Sequence, residues 1–163
     1  MNLESLKELK ALVLDVDGVL TDANVLVTED GKLLRTMSIR DGYALKRAME
    51  SGLEIIVISG GTSEGVRTRL HNLGVKHVYL GVQNKDEVLK RALNEVGIQS
   101  SHVMAMGDDL PDLKLFEHVA FKAAPSDAVP EIIQEANYVS ARKGGDGCVR
   151  EVIELILRAK NAW

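Results

Sequence analysis

Several solid apolar runs in this chain each stop abruptly on polar turn residues. Ala11 to Leu14 runs into Asp15-Val16-Asp17-Gly18, Leu53 to Ile58, apolar but for Glu54, into Ser59-Gly60-Gly61, and Val103 to Met106 into Gly107-Asp108-Asp109. A short apolar run without polar alternation reads as a strand buried on both faces. Between these runs, apolar residues recur at helical spacing: Leu45, Ala48 and Met49; Val66, Leu70 and Leu73; Val88, Leu89, Ala92, Leu93 and Val96. Strand and helix in alternation predict an α/β fold, a parallel sheet with helices on both faces. Open sheets of that kind gather their chemistry at the carboxyl ends of the strands.

In chain order the pattern predicts an amphipathic helix over 2–9, with Leu3, Leu6 and Leu9 on one side, then a strand over 11–16. Residues 23–27 and 33–37 alternate weakly around Asp30-Gly31, a hairpin signal. Asp41 is positioned to cap a helix reaching about Ser51, with Gly52 as its stop. A strand follows over 53–58, then a helix ended by Gly74, a strand over 75–80 and a helix over 85–96 ended by Gly97. The remainder reads as strand 102–106, helix 110–117, strand 119–122, helix 130–136 with Pro130 in its first turn, and a short strand near Tyr138. A glycine loop over 144–147 precedes a last helix striped by Val149, Val152, Ile153, Ile156 and Leu157. The 163 residues are expected to form one domain, 1–163, with no repeat or linker.

Composition removes several classes of function. Net charge is −4 and aromatics make up 4% of residues, so neither a basic nucleic-acid surface nor a base-stacking platform is expected. No apolar run approaches the length of a membrane span, and the first ten residues lack the apolar core of a signal peptide. A single cysteine, Cys148, allows no internal disulfide and reads as a small packing residue. Together these point to a cytoplasmic protein with no membrane or nucleic-acid partner. The four histidines have no metal-ligand spacing.

The polar residues at the strand ends are the candidates for function: Asp15 and Asp17, Ser59 with Gly60, Lys85, and Asp108, Asp109 and Asp112. Singly, each has an ordinary reading as a helix cap, a turn residue or a solvated side chain. Jointly, they would bring carboxylates, a hydroxyl and an ammonium to one edge of one sheet. That set suits phosphoryl transfer. One carboxylate can attack phosphorus and form an acyl phosphate, and a second can move the proton. Clustered carboxylates repel a phosphate dianion, so a hard, oxygen-loving cation such as Mg²⁺ is needed. Lysine and hydroxyl donors hold the phosphoryl oxygens.

These motifs resemble those of the haloacid dehalogenase superfamily phosphatases. DVDGVLTD (15–22) looks like the first motif, Ser59 the second, Lys85 the third and GDDLPD (107–112) the fourth. The resemblance implies a Rossmann-like fold, with Asp15 as nucleophile and Asp17 as general acid/base. Mg²⁺ would lie on the Asp15 carboxylate, the Asp17 backbone carbonyl and Asp108, with Asp109 and Asp112 in or near the outer shell. Ser59 and Gly60 would hold the phosphoryl group, and Lys85 would offset its charge.

Asp17 and Ser59 are separated by 41 residues, and Ser59 and Lys85 by 25, so neither gap has room for a cap domain. A hairpin flap over about 23–37 takes the cap's place. Its apolar Val25, Leu26, Val27, Leu33 and Leu34 favour a subunit interface. This architecture resembles the capless 3-deoxy-D-manno-octulosonate 8-phosphate (Kdo 8-phosphate) phosphatases of lipopolysaccharide precursor synthesis, which assemble as tetramers through such hairpins. Arg40-Asp41-Gly42-Tyr43 and Gly144 to Glu151 look like further segments of that family, whose C-terminal residues can reach a neighbour's site. The second motif departs from the family's frequent Thr-Gly-Arg, because Gly61 stands where the arginine would be. Arg67, Arg69 and Arg142 are candidates to supply the missing cation, and each also reads as a solvated surface residue.

The expected activity is therefore Mg²⁺-dependent hydrolysis of a sugar-acid phosphate, Kdo 8-phosphate first. The alternatives are a nine-carbon sialic-type acid 9-phosphate as substrate and a receiver-like signalling domain. A receiver carries its acidic pair on the first strand and its accepting aspartate on a later one, whereas here the Asp-x-Asp pair is on the first strand and further acids follow a later one.

Overall fold

The computed structural model describes residues 3–163; Asn2 and the Leu3 side chain, both part of the helix expected over 2–9, lie outside the described residues. Helix α1 spans Leu3–Lys7 and leads into β1, Ala11–Leu14. The hairpin strands β2 (Leu26–Val27) and β3 (Leu33–Leu34) come next, then α2 (Ile39–Glu50), β4 (Glu54–Ile58), α3 (Glu64–Leu73) and β5 (His77–Tyr79). The second half holds α4 (Lys85–Val96), β6 (Val103–Met106), α5 (Leu113–Phe116), β7 (Phe121–Ala124), α6 (Pro130–Glu135), β8 (Tyr138–Val139) and α7 (Cys148–Ala159).

The six-stranded sheet has the order β5-β4-β1-β6-β7-β8, and all its pairings are parallel. In sheet order this is the doubly wound 3-2-1-4-5-6 arrangement, in which connections reverse direction at β1. Alternation along the central strands divides the core. Leu12, Leu14, Ile55, Val57, Met104 and Met106 join one apolar cluster with residues of α1, α2, α3 and α7. Val13, Ile56, Ile58, Val103 and Ala105 join a second cluster with residues of α4, α5 and α6. Both faces are covered, which explains why these strands read as unbroken apolar runs.

Several expected boundaries shift. Asp41 does not cap its helix. Ser38 is the cap, its Oγ accepting from the Asp41 N–H at 3.3 Å, and α2 begins at Ile39. The Asp41 carboxylate is buried and accepts from the Arg150 N–H at 2.8 Å, which anchors the start of α7. The hairpin strands are two residues each rather than five, because they pair only with one another. Trp163 packs on the core, with the Arg150 guanidinium 5.4 Å from its ring. Gly74 and Gly97 end α3 and α4 at φ of 98° and 67°, as their positions predicted.

Candidate active site

The carboxyl ends of β1 and β6 meet where the sheet reverses, the place where open α/β sheets bind ligands. Asp15 follows β1, its N–H donating to Met106 O at 3.1 Å, and Asp108 lies just beyond β6. Ser59 follows β4, and Lys85 opens α4. One cavity of about 510 Å³ is lined by Asp15, Asp17, Ser59, Gly60, Lys85, Asp108, Asp109 and Asp112. The candidates at the strand ends are therefore brought to one place.

Close backbone approaches make this arrangement possible. Gly18 has φ of 92°, and a Cβ there would stand 1.9 Å from Asp108 Oδ2. Only a glycine lets the first-motif turn lie against that carboxylate. Gly107 does the same for Asp112, whose Cβ would be 2.3 Å from a Cβ at 107. The C-terminal glycine loop packs on this chain's own first-motif turn. Gly145 N–H donates to Val19 O at 3.0 Å, and a Cβ on Gly144 would be 2.0 Å from Gly18 O.

Lys85 Nζ bridges Asp15 at 2.9 Å and Asp112 at 2.7 Å, with all three side chains nearly buried. Burial and the nearby Asp112 raise the Asp15 pKa to about 6, with Lys85 opposing. Burial, then Asp112, Asp15 and Asp109, raise Asp108 to about 7. Burial works against the Lys85 ammonium, but Asp15 and Asp112 more than offset it and its pKa is raised.

Carboxylate oxygens of Asp15, Asp108 and Asp112 all lie within 4.8 Å of one another. Asp112 is committed elsewhere: it accepts from Lys85 and from the Asp108 N–H at 3.0 Å. Asp15 and Asp108 thus face each other as crowded hard oxygen donors whose protons a divalent cation would displace, and the donor set fits Mg²⁺. Asp109 is exposed and caps the turn over 110–112, accepting from the Leu110 N–H at 2.7 Å. Ser59 Oγ accepts from the Gly61 N–H at 3.2 Å, which leaves its own proton to donate.

The sequence reading missed Arg35. From just beyond β3 it grips Asp17, Nε to Oδ1 at 2.6 Å and Nη2 to Oδ2 at 3.0 Å. The three arginines considered from sequence lie elsewhere. Arg67 pairs with Glu64 at 3.3 Å, Arg69 lines a separate cavity of about 670 Å³ beside the hairpin, and Arg142 lines a third with Arg40 and Arg150. The one available signal for Arg35 was a basic residue next to an otherwise apolar hairpin strand.

Residues 78–152 match the family model described as haloacid dehalogenase-like hydrolase. The chain is 37% identical over 154 residues to the 3-deoxy-D-manno-octulosonate 8-phosphate phosphatase KdsC of Escherichia coli K12, covering 94% of this chain and 82% of that protein. Among solved structures it is similar to the phosphatase of the same name from Yersinia pestis, with a TM-score of 0.95 and 32% identity over 98% of this chain and 86% of that one. It is also similar to the Moraxella catarrhalis phosphatase of that name in complex with magnesium, phosphate and Kdo. There the TM-score is 0.93, with 33% identity over 98% of this chain and 91% of that one.

Proposed function

The chain belongs to the haloacid dehalogenase-like hydrolases, in the family of the Kdo 8-phosphate phosphatases, and from that premise we propose that it hydrolyses Kdo 8-phosphate to Kdo and phosphate. The observation that carries the reading is the Asp15–Lys85–Asp112 bridge beside Asp108 at the sheet's reversal point. It presents an ionised carboxylate to an incoming phosphoryl group, with charge compensation already in place.

Asp15 Oδ attacks phosphorus and forms an acyl phosphate while the bond to the sugar oxygen breaks. Asp17 gives that oxygen its proton, then takes one from the water that cleaves the acyl phosphate and regenerates Asp15. The Ser59 hydroxyl and the backbone N–H of Gly60 hold the phosphoryl oxygens, and Lys85 balances the charge on Asp15. Asp15, Asp108 and the Asp17 carbonyl would hold Mg²⁺, with Asp109 and Asp112 in or near the outer shell. When bound, Mg²⁺ supplies the charge neutralisation that lets a dianion approach carboxylates.

We read residues 1–163 as one catalytic domain and the hairpin as the device by which subunits join, with a homotetramer as the expected assembly. Val25, Leu26, Val27, Leu33 and Leu34 are between 43% and 67% exposed, an apolar surface of the kind that invites association. Among the described residues no helix is long and apolar enough to cross a membrane. A cytoplasmic setting suits Kdo supply to lipopolysaccharide.

Phosphate release with Mg²⁺ tests the function. The protein should release phosphate from Kdo 8-phosphate, and Asp15→Asn should abolish release. No release from any of a panel of eight- and nine-carbon keto-acid phosphates would defeat the proposal. A higher kcat/KM for a nine-carbon acid 9-phosphate would move the substrate to that class.

A further inference from the structure

The catalytic cavity has a surplus of anions. Five aspartates line it against Lys85 and Lys114. Lys85 is committed to Asp15 and Asp112, and Lys114 pairs with Glu117 at 3.1 Å. A substrate with an acid group besides its phosphoryl group meets no buried, uncommitted cation on that lining, since the Lys114 side chain is 59% exposed in a surface pair. Burying a second anion there without a partner would be costly.

Arg35 touches the lining from the hairpin side. Its side chain is 9% exposed although it extends from an exposed flap. Its Nη2 stands 3.5 Å from where a Cβ on Gly61 would be, and Gly61 lines the cavity. The planar guanidinium takes a carboxylate through two parallel N–H bonds, and here that carboxylate is Asp17. Both Asp17 oxygens are thus engaged, and a proton donor must turn one of them to the leaving oxygen.

We infer that Arg35 is the specificity-determining residue that checks the substrate for a second anion. In the free protein it holds Asp17; a substrate carboxylate takes over the guanidinium and releases Asp17 to the leaving oxygen. The inference rests on the sugar-acid reading above. The exchange makes and breaks no covalent bond: one carboxylate replaces another on the same cation, and the Asp17 it displaces is 35% exposed, so water takes over the contacts that Arg35 gives up. A phosphate ester without a second acid leaves Arg35 in place and Asp17 engaged. The hairpin ladder is two residue pairs long, so Arg35 can follow an anion without disturbing the main sheet.

Steady-state kinetics on the full-length protein test this with two alkyl phosphates: Kdo 8-phosphate, and D-glucose 6-phosphate, which has no carboxylate. Arg35→Gln should lower kcat/KM for Kdo 8-phosphate by about tenfold or more, chiefly through KM, and raise kcat for glucose 6-phosphate. Arg35→Lys keeps the charge but loses the fork, and its preference for the acid should fall between the other two. Should the glutamine variant not assemble, the lysine variant carries the comparison. If both substrates fall by the same factor, or Kdo 8-phosphate is unaffected, Arg35 is a structural strut and the inference is overturned. Wild-type inactivity on Kdo 8-phosphate would instead count against the substrate reading. The comparison would then run on whichever sugar-acid phosphate the panel identifies.

Discussion

At the scale of single residues, the site depends as much on missing side chains as on charged ones. Gly18 and Gly107 admit the Asp108 and Asp112 carboxylates to within a distance that any Cβ would block. Gly18→Ala would put a methyl 1.9 Å from Asp108 Oδ2 and a side-chain-bearing residue at φ of 92°. Its expected effect is a loss of about a hundredfold or more in kcat, the cost of moving a reacting group by about 1 Å, with the circular-dichroism spectrum retained. Kinetics at saturating Mg²⁺ check it, and activity within about twofold of wild type would mean that Asp108 tolerates displacement. The acids at the strand ends were legible in sequence because their residue types and spacing announce chemistry. Arg35 was not, because its partner is 18 positions away and the two meet only when the hairpin folds back.

At the scale of elements, legibility followed length and periodicity. Helix α4 was read over 85–96, where its apolar stripe and Gly97 leave little freedom, and the structure has it there. Helix α2 was read to start three residues late, with Asp41 as the cap in place of Ser38; both carry capping oxygens, and tertiary contact decided between them. The Arg150 N–H claims the Asp41 carboxylate, so the hydroxyl of Ser38 is left to cap. The hairpin turn at Asp30-Gly31 formed as expected, with Gly31 at φ of 80°, while its strands shortened for want of a sheet neighbour. If that hairpin joins subunits, a double variant, Leu26→Asp with Val27→Asp, should sediment as a smaller species than wild type while keeping its far-ultraviolet spectrum. Unchanged sedimentation would place the interface elsewhere.

At the scale of the whole molecule, the acidic cluster sets a dependence of stability on pH. Asp15 and Asp108 are raised from an ordinary 3.8 to about 6 and about 7, burial being the main cause in each. The folded protein therefore holds protons that the unfolded chain has already released. The stability this contributes is complete below an ordinary carboxyl pKa and is lost as pH rises through 6 and 7. Without metal, in chelator, the melting temperature should fall between about pH 4 and 7, and the fall should be shallower in Asp108→Asn. Mg²⁺ should restore stability at the upper end, since a cation bound only by the folded state stabilises it. Calorimetry with and without Mg²⁺ reads all three effects, and a curve in chelator that is flat over that range would contradict this account.

The sequence by itself determined the α/β class, the parallel sheet and the acids at its edge, because unbroken apolar runs are buried only between two helical layers and each ends at a turn whose residue types are visible. Tertiary structure alone decided which acid caps and which anchors, which glycines had to be glycines, and which arginine meets Asp17. Those outcomes depend on distances between segments far apart in the chain, and they become defined only when the first-motif turn, the hairpin and the C-terminal loop pack together.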